Sequence, residues 1–201
     1  MKQKQIERAV IMGASEQSKL PESVLNQQGW TSHKIKHFLN NLMETEKPII
    51  NYLEIGAWSG STFVAALYGN NLKNVYSIDN DYKEPDFSIN TKDFKFKKIE
   101  CDCWEVDLSL IKHKINIYFY DANHEYEDQY KALEYYYPVL AKDFIFIVDD
   151  YDWEKVSKGT QAAIKDLGLD VKFGVHLPSK GMNDASTWWN GLYIAHLKKT
   201  R

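Results

Sequence analysis

From Pro48 onward the chain alternates short apolar runs with stretches of helical periodicity, and this alternation limits its fold more than any other feature. The runs at 49–55, 75–78, 95–99, 115–120 and 144–148 have strand length, and the intervals between them are long enough for crossover connections. Strands joined by crossovers lie parallel in one sheet with helices on its faces. Between the last two runs, Tyr126, Tyr130, Leu133 and Tyr137 share one helical face, and Pro138 ends the helix. Residues 154–167 read as a further helix stopped by Gly168. Two more strands are expected near 171–175 and 192–197, joined by a long loop that carries His176, Pro178, Gly181, Trp188 and Trp189. The expectation is an α/β fold in a single domain, with a mostly parallel seven-stranded sheet flanked by helices.

The first thirty residues show no sustained periodicity and read as an irregular arm with short helical pieces. From Thr31, the spacing of Ile35, Phe38, Leu39 and Leu42 makes one apolar helical face, with Thr31 or Ser32 placed to cap it. Residues 1–47 are therefore expected to form an arm and helix, a candidate lid on a domain spanning 48–201. A chain of 201 residues with 44% hydrophobic and 26% charged side chains suits one folded core. Its net charge of −3, from 25 basic and 28 acidic residues, gives no general attraction to nucleic acid or anionic membrane. No apolar run is long enough to span a bilayer, and the start of the chain is too polar for a signal peptide. Cys101 and Cys103 are too close on one extended segment to pair with each other, so a reduced, cytoplasmic protein is expected. A homo-oligomer stays open.

The most specific local signal is Glu54-Ile55-Gly56-Ala57-Trp58-Ser59-Gly60-Ser61-Thr62, which follows a strand and opens a helix at 62–68. Glycines there permit a tight turn and close approach of a ligand, and the helix start offers unsatisfied N–H groups. The spacing is GxxxG, without the central glycine of the dinucleotide fingerprint. The next strand ends in Asp79, the third near Asp102-Cys103, the fourth at Asp121 and the fifth at Asp149-Asp150. In open α/β sheets the ligand crevice lies outside these carboxyl ends, and a carboxylate at Asp79 can accept from both hydroxyls of a ribose. Asp121 facing Asp149 and Asp150 across neighbouring strands would repel strongly unless a cation or protons offset the charge. A divalent ion held by these three carboxylates, with oxygen ligands alone, suits Mg²⁺, Mn²⁺ or Ca²⁺.

In these motifs the sequence resembles the class I S-adenosylmethionine (SAM)-dependent methyltransferases, whose domain is Rossmann-like. The resemblance covers roughly residues 49–197 and rests on the order and spacing of individually weak motifs. It implies that Glu54, Gly56, Ala57, Gly60, Ser61 and Thr62 cradle the amino-acid part of SAM. It further implies that Asp79 holds the ribose, that Asp102 and Cys103 border the adenine, and that Asp121 lies beside the cofactor. Asp121-x-x-His124-x-Tyr126 and Asp149-Asp150-Tyr151 are similar to the catechol and caffeoyl-coenzyme A O-methyltransferases and to bacterial sugar and antibiotic-tailoring methyltransferases. Those of the catechol type hold Mg²⁺ with an Asp after strand four and an Asp-Asn pair after strand five. His124 stands where that type carries its proton-accepting lysine, and Asp150 where it carries Asn.

The implied activity is methyl transfer from SAM to a hydroxyl of a small molecule, with His124 as general base, Asp121 beside it, and a divalent cation, Mg²⁺ foremost, at Asp121, Asp149 and Asp150. A nucleic-acid amino-methyltransferase would carry Asn/Asp-Pro-Pro-aromatic after strand four, whereas this chain has Asp121-Ala122-Asn123-His124. A methyltransferase acting on another nitrogen acceptor and a non-catalytic SAM- or nucleotide-binding module remain as alternatives. Trp188 and Trp189 could wall the pocket or pack on the sheet, and neither is assigned a role.

Overall fold

The computed structural model describes residues 2–44 and 49–200. The boundary expected at 47–48 lies outside the described residues. The chain forms, in order, α1 (Lys2–Ala14), α2 (Glu22–Leu25), α3 (His33–Leu42), β1 (Asn51–Ile55), α4 (Ser61–Leu67), β2 (Asn74–Asp79), α5 (Asp86–Thr91) and β3 (Lys97–Glu100). These are followed by β4 (Ile115–Tyr120), α6 (Tyr126–Tyr136), β5 (Leu140–Val148), α7 (Glu154–Asp166), β6 (Leu169–Leu177) and β7 (Leu192–Lys199).

One seven-stranded sheet has the order β3-β2-β1-β4-β5-β7-β6. The first five strands are parallel, as their crossovers require, but β7 pairs antiparallel with both β5 and β6. The sheet is therefore mixed. Residues 178–191 return the chain to the neighbouring strand without a crossover helix, and such a return reverses direction. Alternation along the strands divides the core between the two faces. Leu53, Tyr118, Phe146 and Val148 face Leu133, Tyr136, Val156 and Ile164 of α6 and α7. Tyr52, Phe119, Ile145 and Ile147 face Ile6, Phe38, Leu39 and Phe63 of α1, α3 and α4.

The expected α3 forms on schedule: Ser32 is its N-cap, accepting from the Ile35 N–H at 3.3 Å, and Ile35, Phe38, Leu39 and Leu42 are buried. The arm before it is more regular than expected. Residues 2–14 make a continuous helix whose buried contacts are only Ile6, Ala9 and Gly13, too few apolar positions to show as a stripe. Gly13 lets that helix lie against α3, since a Cβ there would stand 2.8 Å from Phe38 Cβ. The tyrosine face expected for α6 is also corrected. The helix buries Gln129, Ala132, Leu133 and Tyr136, and leaves Tyr126 exposed. Its roll is set by α7, where Gly159 comes so near that a Cβ would lie 2.3 Å from the Tyr126 carbonyl oxygen. No helix among the described residues is long and apolar enough to cross a membrane.

Candidate functional site

The carboxyl ends of the parallel strands open into a cavity of about 740 Å³. Gly56, Ala57, Ser61 and Thr62 of the glycine loop, Asp79 after β2, Asp121 and His124 after β4, and Asp150 after β5 all line it. A smaller adjoining pocket of about 50 Å³ is lined by Asp102 and Cys103 and shares Gly56, Asp79 and Asn123 with the larger one. Both cysteines are free thiols, and burial beside Asp102 and Asp128 pushes the Cys103 thiol up to about 12.

The glycine loop is shaped by contacts within the protein. Gly56 has φ +88°, and a Cβ on it would lie 1.7 Å from the Asp121 carbonyl oxygen. Only glycine allows β1 to leave the sheet across β4 at that point. Gly60, at φ +83°, is the N-cap of α4 and does not line the cavity. Asp79 braces the loop, accepting the Trp58 N–H at 2.7 Å and the Asp81 N–H at 2.8 Å. Each of its oxygens keeps a further lone pair for a ligand.

Two further expected residues face elsewhere. Glu54 is fully buried, with one oxygen taken by the Tyr52 hydroxyl and the other by the Thr62 hydroxyl at 2.6 Å. Burial raises its carboxyl to about 7, although those two hydrogen bonds oppose the shift. It supports the loop from beneath and borders neither pocket. Asp149, expected as a metal ligand, is likewise buried outside both pockets, and its Oδ1 has no hydrogen-bond partner.

In its place His124 joins Asp121 and Asp150, and one donor atom from each lies within 4.8 Å of the others. His124 Nε2 stands 2.6 Å from Asp150 Oδ2 without the alignment of a hydrogen bond. Its ring meets Trp153 edge-on at 4.8 Å between centroids. Asp150 Oδ1 accepts from Asn190 Nδ2 at 2.6 Å, which fixes that carboxylate. Burial, and then the charges of Asp149 and Asp150, hold the Asp121 carboxyl well above the usual carboxylate range. Burial and Asp150 do the same to Asp149.

Sequence reasoning missed much of the outer wall. Gly29, Trp30 and Thr31 of the arm line one side, and Trp153, Met182, Asn183, Trp189 and Asn190 line the other. Trp189 lines the cavity, whereas Trp188 is buried edge-on against Phe38. Four non-glycine residues with positive φ, Trp58, Asp150, Asn183 and Trp189, all line the cavity. Such backbone strain concentrates at ligand sites. The only signal in the sequence was the tryptophan content of these loops, which packing explains equally well.

A glycine loop after β1, a carboxylate after β2 and an antiparallel β7 between β5 and β6 make this a Rossmann-like methyltransferase fold. Residues 53–151 match the family described as a methyltransferase domain. Protein R132 of Acanthamoeba polyphaga mimivirus, which is uncharacterised, is 25% identical over 168 residues, 77% of this chain and 76% of the viral one. The S-adenosylhomocysteine-bound methyltransferase PaMTH1 of Podospora anserina superposes with a TM-score of 0.63 at 15% identity, over 96% of this chain and 88% of that one. A Streptococcus mutans protein, provisionally assigned as a SAM-dependent methyltransferase, has a TM-score of 0.59 at 13% identity over 83% of this chain. This chain spans 48% of the length of that structure.

Proposed function

We propose that the protein transfers a methyl group from SAM to a hydroxyl of a small, uncharged molecule. The observation that carries this reading is the placement of the Asp121, His124 and Asp150 cluster in the same cavity as the glycine loop and Asp79. Gly56, Ala57, Ser61 and Thr62 would hold the amino-acid end of the cofactor, Asp79 the ribose, and Asp102 with Cys103 the adenine side. Bound SAM supplies an electrophilic methyl group, so the protein's task is to orient the acceptor and remove its proton. The His124 imidazole receives that proton, and the Asp150 carboxylate beside its Nε2 stabilises the imidazolium that results. The acceptor lies on the β5 and β7 side, between Trp153, Met182 and Trp189. An acidic floor and the net charge of −3 disfavour a polyanionic acceptor.

Metal assistance is a second reading, favoured by the three converging donors. Two carboxylates and an imidazole within this reach fit a divalent ion. A bound cation would lower the pKa of a coordinated hydroxyl and offset the charge on Asp121 and Asp150. With His124 in place of Asp149 the donor set is mixed, which suits Mn²⁺ and other transition ions better than an all-oxygen set does.

Calorimetry with SAM and S-adenosylhomocysteine tests the cofactor. Incubation with isotopically labelled SAM and a metabolite pool, with and without a chelator, then identifies the acceptor by mass. Absence of SAM binding would sink the proposal, and a labelled amine or nucleic acid would overturn the acceptor class. Undiminished transfer in chelator would remove the metal.

A further inference from the structure

One wall of the cavity comes from the turn after α2, not from any strand end. Ser59 Oγ donates to the Gln28 carbonyl, and Ser61 Oγ to the Gln27 carbonyl at 3.2 Å. Gly29 then passes so close to the glycine loop that a Cβ on it would lie 2.7 Å from Ser61 Cβ. Behind this turn lies Lys36 of α3, only 2% exposed. Its ammonium donates to the carbonyls of Leu25 at 2.7 Å, Gln27 at 2.9 Å and Val24 at 3.4 Å. The Gln27 carbonyl is thus shared, taking one hydrogen bond from Lys36 and one from the glycine loop.

Lys36 makes no ion pair among the described residues, and burial lowers its pKa to about 8. Replacing the ammonium by an apolar side chain removes the cost of burying a charge but takes one donor from each of the three carbonyls, so the two effects oppose each other in stability. What the ammonium does accomplish is geometric, because three carbonyls can converge on one nitrogen only if the turn stays closed. We infer that Lys36 is a positioning residue for the cofactor, which sets the Gly29–Thr31 wall against the glycine loop by gathering the carbonyls at the end of α2. This rests on the cavity being the SAM pocket.

Lys36→Met keeps the length of the side chain and removes its charge. The readouts are the urea midpoint, amide hydrogen exchange across residues 24–31, and calorimetric affinity for SAM and S-adenosylhomocysteine. The expected result is faster exchange at 26–31 and an affinity for both ligands lowered about tenfold, a loss larger than any change in the urea midpoint accounts for. Gly29→Ala lifts the same wall from Ser61 without touching Lys36, and should weaken both ligands similarly. It stands as the test if Lys36→Met does not fold. Wild-type affinity in folded Lys36→Met, or in Gly29→Ala, overturns the inference, as does an affinity loss that merely tracks lost stability. If the wild type binds neither ligand, the cofactor reading fails and the role for Lys36 with it, whereas SAM binding with unchanged exchange in Lys36→Met overturns Lys36 alone.

Discussion

At Gly56 a Cβ would intrude to 1.7 Å of a backbone oxygen, so the glycine serves the chain's own crossing before it serves any ligand. Gly56→Ala should therefore lose stability on the order of 3 kcal/mol in urea titrations, whether or not cofactor is present. Asp79 has two tasks, bracing the loop through the Trp58 and Asp81 N–H groups and facing the cavity. Asp79→Ala should weaken SAM by roughly 1–3 kcal/mol in calorimetry, because two sugar hydroxyls lose their acceptor; unchanged affinity would remove the ribose from this position. For His124→Ala we expect turnover to fall roughly 10²–10⁴-fold with SAM affinity almost unchanged. Full turnover in folded His124→Ala would assign the base to another group.

The pairing of α6 with α7 shows how an element's face is chosen by its neighbour. The tyrosine spacing along α6 is a true helical stripe, yet the helix turns Gln129 and Ala132 inward because Gly159 admits the closest approach at that angle. Gly159→Ala should push the two helices apart and cost roughly 1–3 kcal/mol in urea, whereas Tyr126→Ala, at an exposed position, should change stability by less than about 0.5 kcal/mol. Comparable losses in both would restore the tyrosine face. The existence of both helices was legible from periodicity and from Pro138 and Gly168; the roll of α6 was not, since it depends on contact with a glycine about thirty positions further along the chain. The arm shows the converse case, where α1 needs so few apolar contacts that no periodic signal reaches the sequence.

Across the whole molecule, burial raises the pKa of carboxylates in and beneath the crevice. Glu54 rises from 4.5 to about 7, and Asp121 and Asp149 are raised as well. A folded-state pKa above the unfolded value means that the folded protein binds the extra proton. The associated stability is complete below the unfolded pKa and is lost as pH climbs through the folded one. For Glu54 that window runs from 4.5 to about 7, and the loss amounts to roughly 3 kcal/mol. Carboxylates with lowered pKa, such as Asp143 beside Lys2, act below this window. Urea midpoints should therefore decline between pH 5 and pH 8, less steeply in Glu54→Gln. Added Mn²⁺ should recover part of the loss if the cluster takes a cation, and a midpoint that climbs over this interval would contradict the assignment.

Strand-length runs, crossover intervals, the GxxxG turn and the acids at successive strand ends are properties of spacing along the chain, so the sequence alone determined the α/β sheet and where its crevice opens. It could not decide which of two adjacent carboxylates enters that crevice. Asp150 faces His124 and Asp149 turns inward because successive residues leave a strand on opposite sides, and Asp150 sits at φ +54°. The chain path likewise decided that Glu54 spends both oxygens on Tyr52 and Thr62, and that a turn some thirty residues before the glycine loop walls the cavity. Those outcomes depend on contacts between segments remote in sequence, and no local period or motif encodes which groups such contacts will satisfy.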